Sequence, residues 1–104
     1  MKEEVFKCDY LTIDYEKRMV LVDYTEGHLA TIKYNKLLIL MVANKGKVLT
    51  HNYILKEVWG YDETGDSKSI RVFMASLRRK IEKNTAKPRF ILTEVGIGYR
   101  FADE

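Results

Sequence analysis

Between Lys68 and Lys83 the chain sets basic and small side chains at helical spacing. With a step of about 100° per residue, Lys68, Arg71, Val72, Ala75, Ser76, Arg79 and Lys83 share one side of a helix, with Arg78 at its edge. A guanidinium offers a planar fork of donors that can hold a phosphate, or the edge of a guanine, at two points. Ala75 and Ser76 interrupt the long side chains and let a helix axis come close to whatever it faces. Phe73, Met74, Leu77 and Ile81 lie within roughly 60° of Ile70 on the opposite side, which is the side expected to pack inward. Glu82 is the one acid expected on the basic surface. A basic stripe by itself is usually a solvated face, so its meaning depends on the elements around it.

Charge is distributed unevenly. Residues 1–67 carry 9 basic and 11 acidic side chains and residues 68–104 carry 9 and 4, so the net +3 comes from the last third of the chain. That is where a polyanion would be met. With 104 residues, 46% hydrophobic and 32% charged, the composition is that of one globular domain rather than a disordered segment. Cys8 is the only cysteine, so an intrachain disulfide is excluded, and no Cys/His cluster has the spacing of a metal site. Neither metal nor cofactor is expected. Leu37–Ala43 is too short an apolar run to span a membrane. The first residues, Met1-Lys2-Glu3-Glu4, lack the pattern of a secretion signal, so no membrane and a cytoplasmic location are expected.

The elements that would position the stripe can be read in order. Val5–Cys8, Tyr10–Ile13 and Met19–Val22 are short runs rich in β-branched and aromatic residues, and polar turns separate them. With a fourth strand near His28–Ala30 they suit an antiparallel meander. The period then becomes helical. Thr31 is the expected N-cap of a first helix carrying Tyr34, Leu37, Leu38, Met41 and Val42, and Asn44-Lys45-Gly46 ends it. Thr50 caps a second helix with Ile54, Leu55, Val58 and Trp59 on one stripe, and Gly60 stops it. Asp66 or Ser67 caps the third, which runs to about Asn84. Two short apolar runs around Gly96 and Gly98 then form a hairpin in which both glycines are expected to take positive φ. Trp59 and Phe73 are expected in the core.

That order describes an α+β fold: a winged helix-turn-helix with an N-terminal four-stranded antiparallel sheet, three helices and a C-terminal β-hairpin wing. It places the basic stripe on the second helix of the helix-turn-helix, the one that enters a major groove of double-stranded DNA. The hairpin stands where it would touch the neighbouring minor groove, with backbone amides near Gly96 exposed to phosphate.

The runs Gly46–Thr50, Glu57-Val58-Trp59-Gly60, Arg78-Arg79-Lys80-Ile81 and Pro88–Phe101 resemble the C-terminal effector domain of OmpR/PhoB-type response regulators over nearly the whole chain. The resemblance implies tandem dimers on direct-repeat half-sites and activation of RNA polymerase. By position, Arg78 matches a phosphate-gripping arginine, Thr93 a wing residue that bonds phosphate, and Tyr99 a tyrosine supporting the wing. The loop Tyr61, Asp62, Glu63, Thr64, Gly65 and Asp66 matches the segment that touches RNA polymerase. A sensor kinase would act through a receiver domain, which these residues do not include. Three departures stand out. No glutamate follows Thr31 to complete a capping box. Val95 replaces a wing-tip arginine found in several members, and Ala75 and Ser76 replace arginines of some relatives. Sequence choice is thereby expected to lean on Arg71, Arg79 and DNA shape.

Rival readings are weaker. His28 and His51 stand alone, without a nucleophile at a recognisable spacing, and Gly96-x-Gly98 does not open a helix, so catalysis is not expected. A helix cannot enter the deep, narrow major groove of duplex RNA. A winged helix devoted to protein contacts, with weak or no DNA binding, is the main alternative, suited by Val72 on the third helix.

Overall fold

The computed structural model describes residues 5–25, 28–32, 35–60 and 67–102. The chain divides into two units, residues 1–34 with 104 and residues 35–103. In the first, β1 (Val5–Cys8), β2 (Leu11–Asp14), β3 (Met19–Thr25) and β4 (His28–Ile32) form an antiparallel sheet in chain order. The register sets Leu11 opposite Val22 and Ile13 opposite Val20. Alternation along each strand therefore gathers these four on one face, and all are buried. Asp14 Oδ1 accepts the Lys17 N–H at 3.0 Å, shaping the β2–β3 turn. Cys8 is a half-buried strand residue.

The first helix of the second unit starts later than Thr31. Thr31 pairs with Leu21 inside β4, so its backbone is committed to the sheet. Asn35 takes the cap instead, its side-chain oxygen accepting the Leu38 N–H at 3.0 Å, and α1 spans Lys36–Ala43. Leu37, Leu38, Met41 and Val42 are buried as the spacing predicts; Tyr34 lies outside the described residues. At the far end the Asn44 side chain donates to the Leu40 carbonyl at 2.9 Å, and Gly46 turns the chain at φ 85°.

A strand that the periodicity does not reveal follows: β5 (Val48–Thr50). Thr50 then caps α2 (His51–Ile54), its hydroxyl accepting the Tyr53 N–H at 3.2 Å. The helix runs on through a π-helical turn (Leu55–Trp59) and stops at Gly60 in the left-handed conformation, φ 84°. The third helix, α3, spans Ser67–Ile81 and ends three residues before the expected Asn84. The hairpin is β6 (Ile91–Glu94) and β7 (Gly98–Phe101). β7 lies between β5 and β6 in a three-stranded antiparallel sheet. Ile54, Ile70, Met74, Leu77, Ile81, Phe90, Ile91 and Phe101 are among the buried residues of the second unit, and the Phe90 and Phe101 rings stack at 5.7 Å.

The two hairpin glycines have different reasons to be there. Gly96 takes φ 77° in the Val95–Ile97 turn, as expected. Gly98 does not take positive φ. A Cβ at Gly98 would collide with the Leu49 carbonyl of β5 and touch the Thr50 backbone. It is glycine because the third strand comes so close.

Candidate nucleic-acid interface

Helices α2 and α3 are in contact, and the rings of Trp59 and Phe73 meet edge to face at 5.0 Å. The buried side of α3 consists of Ile70, Met74, Leu77 and Ile81. Phe73 is not in the core: it is 47% exposed, because it sits at the border of the apolar stripe and spends one face on Trp59. Trp59 itself is half-buried.

On the other side Lys68, Arg71, Val72, Ala75 and Arg79 are all exposed, with Val72 at 65%. Ser76 is half-buried, at the margin of this face. Lys83 is exposed just beyond the helix end. The stripe expected from the spacing is therefore a real surface, with an apolar side chain and a methyl group set among the cations.

Arg78 leaves that surface and turns to the wing. Its Nη2 donates to the Ile91 carbonyl and to the Thr93 hydroxyl oxygen, each at 2.8 Å. The guanidinium lies 5.7 Å from the centre of the Tyr99 ring. Tyr99 is buried, and His51 packs on it edge to face at 5.7 Å. The wing is thus fastened to α3 by Arg78 and to the start of α2 through Tyr99. At its tip Val95 is 89% exposed, with Gly96 and Ile97 exposed beside it. Arg100 is paired with Glu94 at 3.0 Å. The loop Tyr61, Asp62, Glu63, Thr64, Gly65 and Asp66 lies outside the described residues.

Glu82 is not a surface acid. It is buried, and its two carboxylate oxygens accept the backbone N–H groups of Arg89, Phe90 and Ile91 at 2.6–3.2 Å. Its own N–H still donates to the Arg78 carbonyl at 2.8 Å, closing the last turn of α3, and it is buried because the chain returns through Arg89, Phe90 and Ile91 to cover it. The carboxylate instead fixes the entry to β6 below the wing. An acid one residue past a helix end gives no spacing signal from which this role could be read.

Among the described residues no group of three His, Cys, Asp or Glu side chains is placed to hold a metal ion, and no helix is long and apolar enough to cross a membrane. The geometry is that of a surface for another molecule: a rigid basic helix beside an anchored hairpin.

A family model described as transcriptional regulatory protein, C terminal, matches residues 26–101. The KDP operon transcriptional regulatory protein KdpE of Escherichia coli K12 is 38% identical over 99 residues, which is 95% of this chain and 44% of that protein. The chain thus spans less than half the length of this relative. The RstA DNA-binding domain of Klebsiella pneumoniae, solved in complex with the RstA box, superposes with a TM-score of 0.82 at 24% identity, covering 98% of this chain and 100% of that one. The response regulator DrrB of Thermotoga maritima, an OmpR/PhoB homolog, superposes with a TM-score of 0.79 at 23% identity, over 97% of this chain and 45% of that one. At these identities the two structures speak for the fold alone, while the family match and the KdpE alignment run through the α3 stripe and the wing. The chain belongs to the C-terminal domain family of transcriptional regulatory proteins, of the OmpR/PhoB response-regulator type.

Proposed function

We propose that the chain binds double-stranded DNA in a sequence-selective way and is the output domain, over residues 1–104, of a cytoplasmic two-component response regulator. The observation that carries this reading is the exposed Lys68, Arg71, Val72, Ala75 and Arg79 face on α3, set beside a wing that Arg78 holds to the same helix. In the major groove Arg71 and Arg79 meet base edges, Val72 and Ala75 allow close approach, and Lys68 meets phosphate. Ser76 lies at the margin of the contact. Thr93, Val95 and Gly96 bring the wing to the adjacent backbone and minor groove.

Further parts of the reading follow from family membership. Two copies sit in tandem on direct-repeat half-sites. The loop Tyr61–Asp66 meets RNA polymerase. The signal arrives from a sensor kinase through a receiver domain, consistent with relatives more than twice as long as this chain.

Selection of duplexes from a random pool, followed by anisotropy titration, tests the proposal. Arg71→Ala and Arg79→Ala are each expected to weaken the selected duplex by roughly 10-fold or more, against a smaller loss on a scrambled one, as for a lost base contact of about 1–3 kcal/mol. Equal losses on both duplexes would reduce these arginines to phosphate contacts.

The exposed apolar pair Val72 and Phe73 favours a second reading, a winged helix that docks on protein. Duplex binding that weakens steeply with salt separates the two, since an apolar protein interface releases no counterions.

A further inference from the structure

From Arg78 to Arg89 the chain carries six basic residues and one acid. The acid, Glu82, is buried, and its oxygens are spent on the N–H groups of Arg89, Phe90 and Ile91. Cations in the last turn of a helix offset its macrodipole, which accounts for Arg79 and Lys80 within α3. It does not account for Lys87, which lies well past the helix end.

The segment that carries Lys87 is a fixed turn. The Asn84 carbonyl accepts the Lys87 N–H at 3.0 Å, and the Asn84 side chain accepts the Ala86 N–H at 2.9 Å. Glu82 holds the chain where it leaves this turn. Lys80, Lys83 and Lys87 are all exposed. The turn thus extends the positive surface of α3 past its C-terminal end.

This extension has no apolar anchor. Between Arg79 and Arg89 the one exposed apolar residue is Ala86. Protein interfaces are built round buried aromatic or aliphatic anchors and are poor in lysine. A patch of lysines alone suits a polyanion that repeats its charge at short intervals and needs no pocket, as a phosphate backbone does.

We propose that Lys80 and Lys87 form a second, sequence-indifferent contact, which takes backbone phosphates of the duplex just outside the stretch read by α3. Lys83, between them, adds to the same field. This rests on the reading of α3 and the wing as a duplex-binding face, and it lengthens the footprint on one side.

Anisotropy over a range of salt tests this on three duplexes: a selected site alone, and the site lengthened by about six base pairs at one end or at the other. That addition is too short to seat a second copy, since half-sites stand about 10 base pairs apart. The unaltered chain is expected to bind one lengthened duplex about tenfold more tightly at low salt. Its slope of log K against log salt should steepen by up to about 1.8, or about 0.9 for each phosphate neutralised. Lengthening the other end should give about twofold or less. Scrambling the added base pairs should leave the gain untouched. Lys80→Gln with Lys87→Gln should abolish the gain and change binding to the short duplex by about twofold or less, while Lys80→Arg with Lys87→Arg should keep it.

Equal gains at the two ends, or a gain that survives in the glutamine variant, would overturn the proposal. So would a glutamine variant that loses as much on the short duplex as on the long one. The comparison of the two ends uses the unaltered chain, so it decides even if the glutamine variant fails to fold. An unaltered chain that binds no duplex at all would remove the duplex-binding reading and this proposal together; the other contrary results leave that reading intact.

Discussion

A carboxylate that accepts three main-chain N–H groups, as Glu82 does from Arg89, Phe90 and Ile91, fixes where a strand begins. Water cannot easily replace it, because Phe90 and Ile91 are buried. Glu82→Ala leaves these donors without an acceptor and is expected to lower stability by roughly 3 kcal/mol, with Glu82→Gln intermediate. Urea unfolding measures this, and a loss under about 1 kcal/mol would mean that the amides find other partners. At this scale the sequence is legible where one period governs the outcome. Ile70, Met74, Leu77 and Ile81 are buried as their spacing requires. Phe73 and Glu82 escape that logic for different reasons: one lies at the border of the stripe beside Trp59, and the other is covered by the chain returning through Arg89, Phe90 and Ile91.

Elements compete for the same residues, and local signals do not settle the competition. Thr31 and Asn35 are both good caps, and the choice falls to Asn35 only because β3 pairs with β4 as far as Ile32. β5 is three residues long and pairs with a strand some fifty positions later, so nothing in its own composition announces it. It nevertheless explains Gly98. Gly98→Ala drives a methyl group into the Leu49 carbonyl, a backbone atom that moves only with its strand. A cost above about 2 kcal/mol is expected, or failure to fold. Gly96→Ala meets open space and bears only the strain of φ 77°, about 1 kcal/mol. Thermal unfolding of the two variants tests the order. If Gly96→Ala were the more damaging, β5 would not be the neighbour that excludes a side chain at Gly98.

For the molecule as a whole, charge and apolar surface are sorted onto one helix. The same fifteen residues of α3 supply buried Ile70, Met74, Leu77 and Ile81 and the exposed Lys68, Arg71 and Arg79. This division, the meander and the order of the helices were all legible in the sequence, because binary patterning over a long amphipathic helix is a strong signal. The tie between helix and wing was not, since it depends on Arg78 reaching two residues of β6 across a loop. Together these features give a basic helix whose position relative to the hairpin is fixed before any partner arrives, which lowers the ordering cost of binding. The most direct test is NMR mapping of a selected duplex onto the ¹⁵N-labelled chain. Perturbed amides are expected from Lys68 to Arg79 on the exposed side of α3 and from Thr93 to Ile97 in the wing, with β1 and β2 unmoved. Perturbations centred on the Asn44–Tyr53 surface or on the first sheet, with α3 silent, would contradict duplex binding by α3 and the wing.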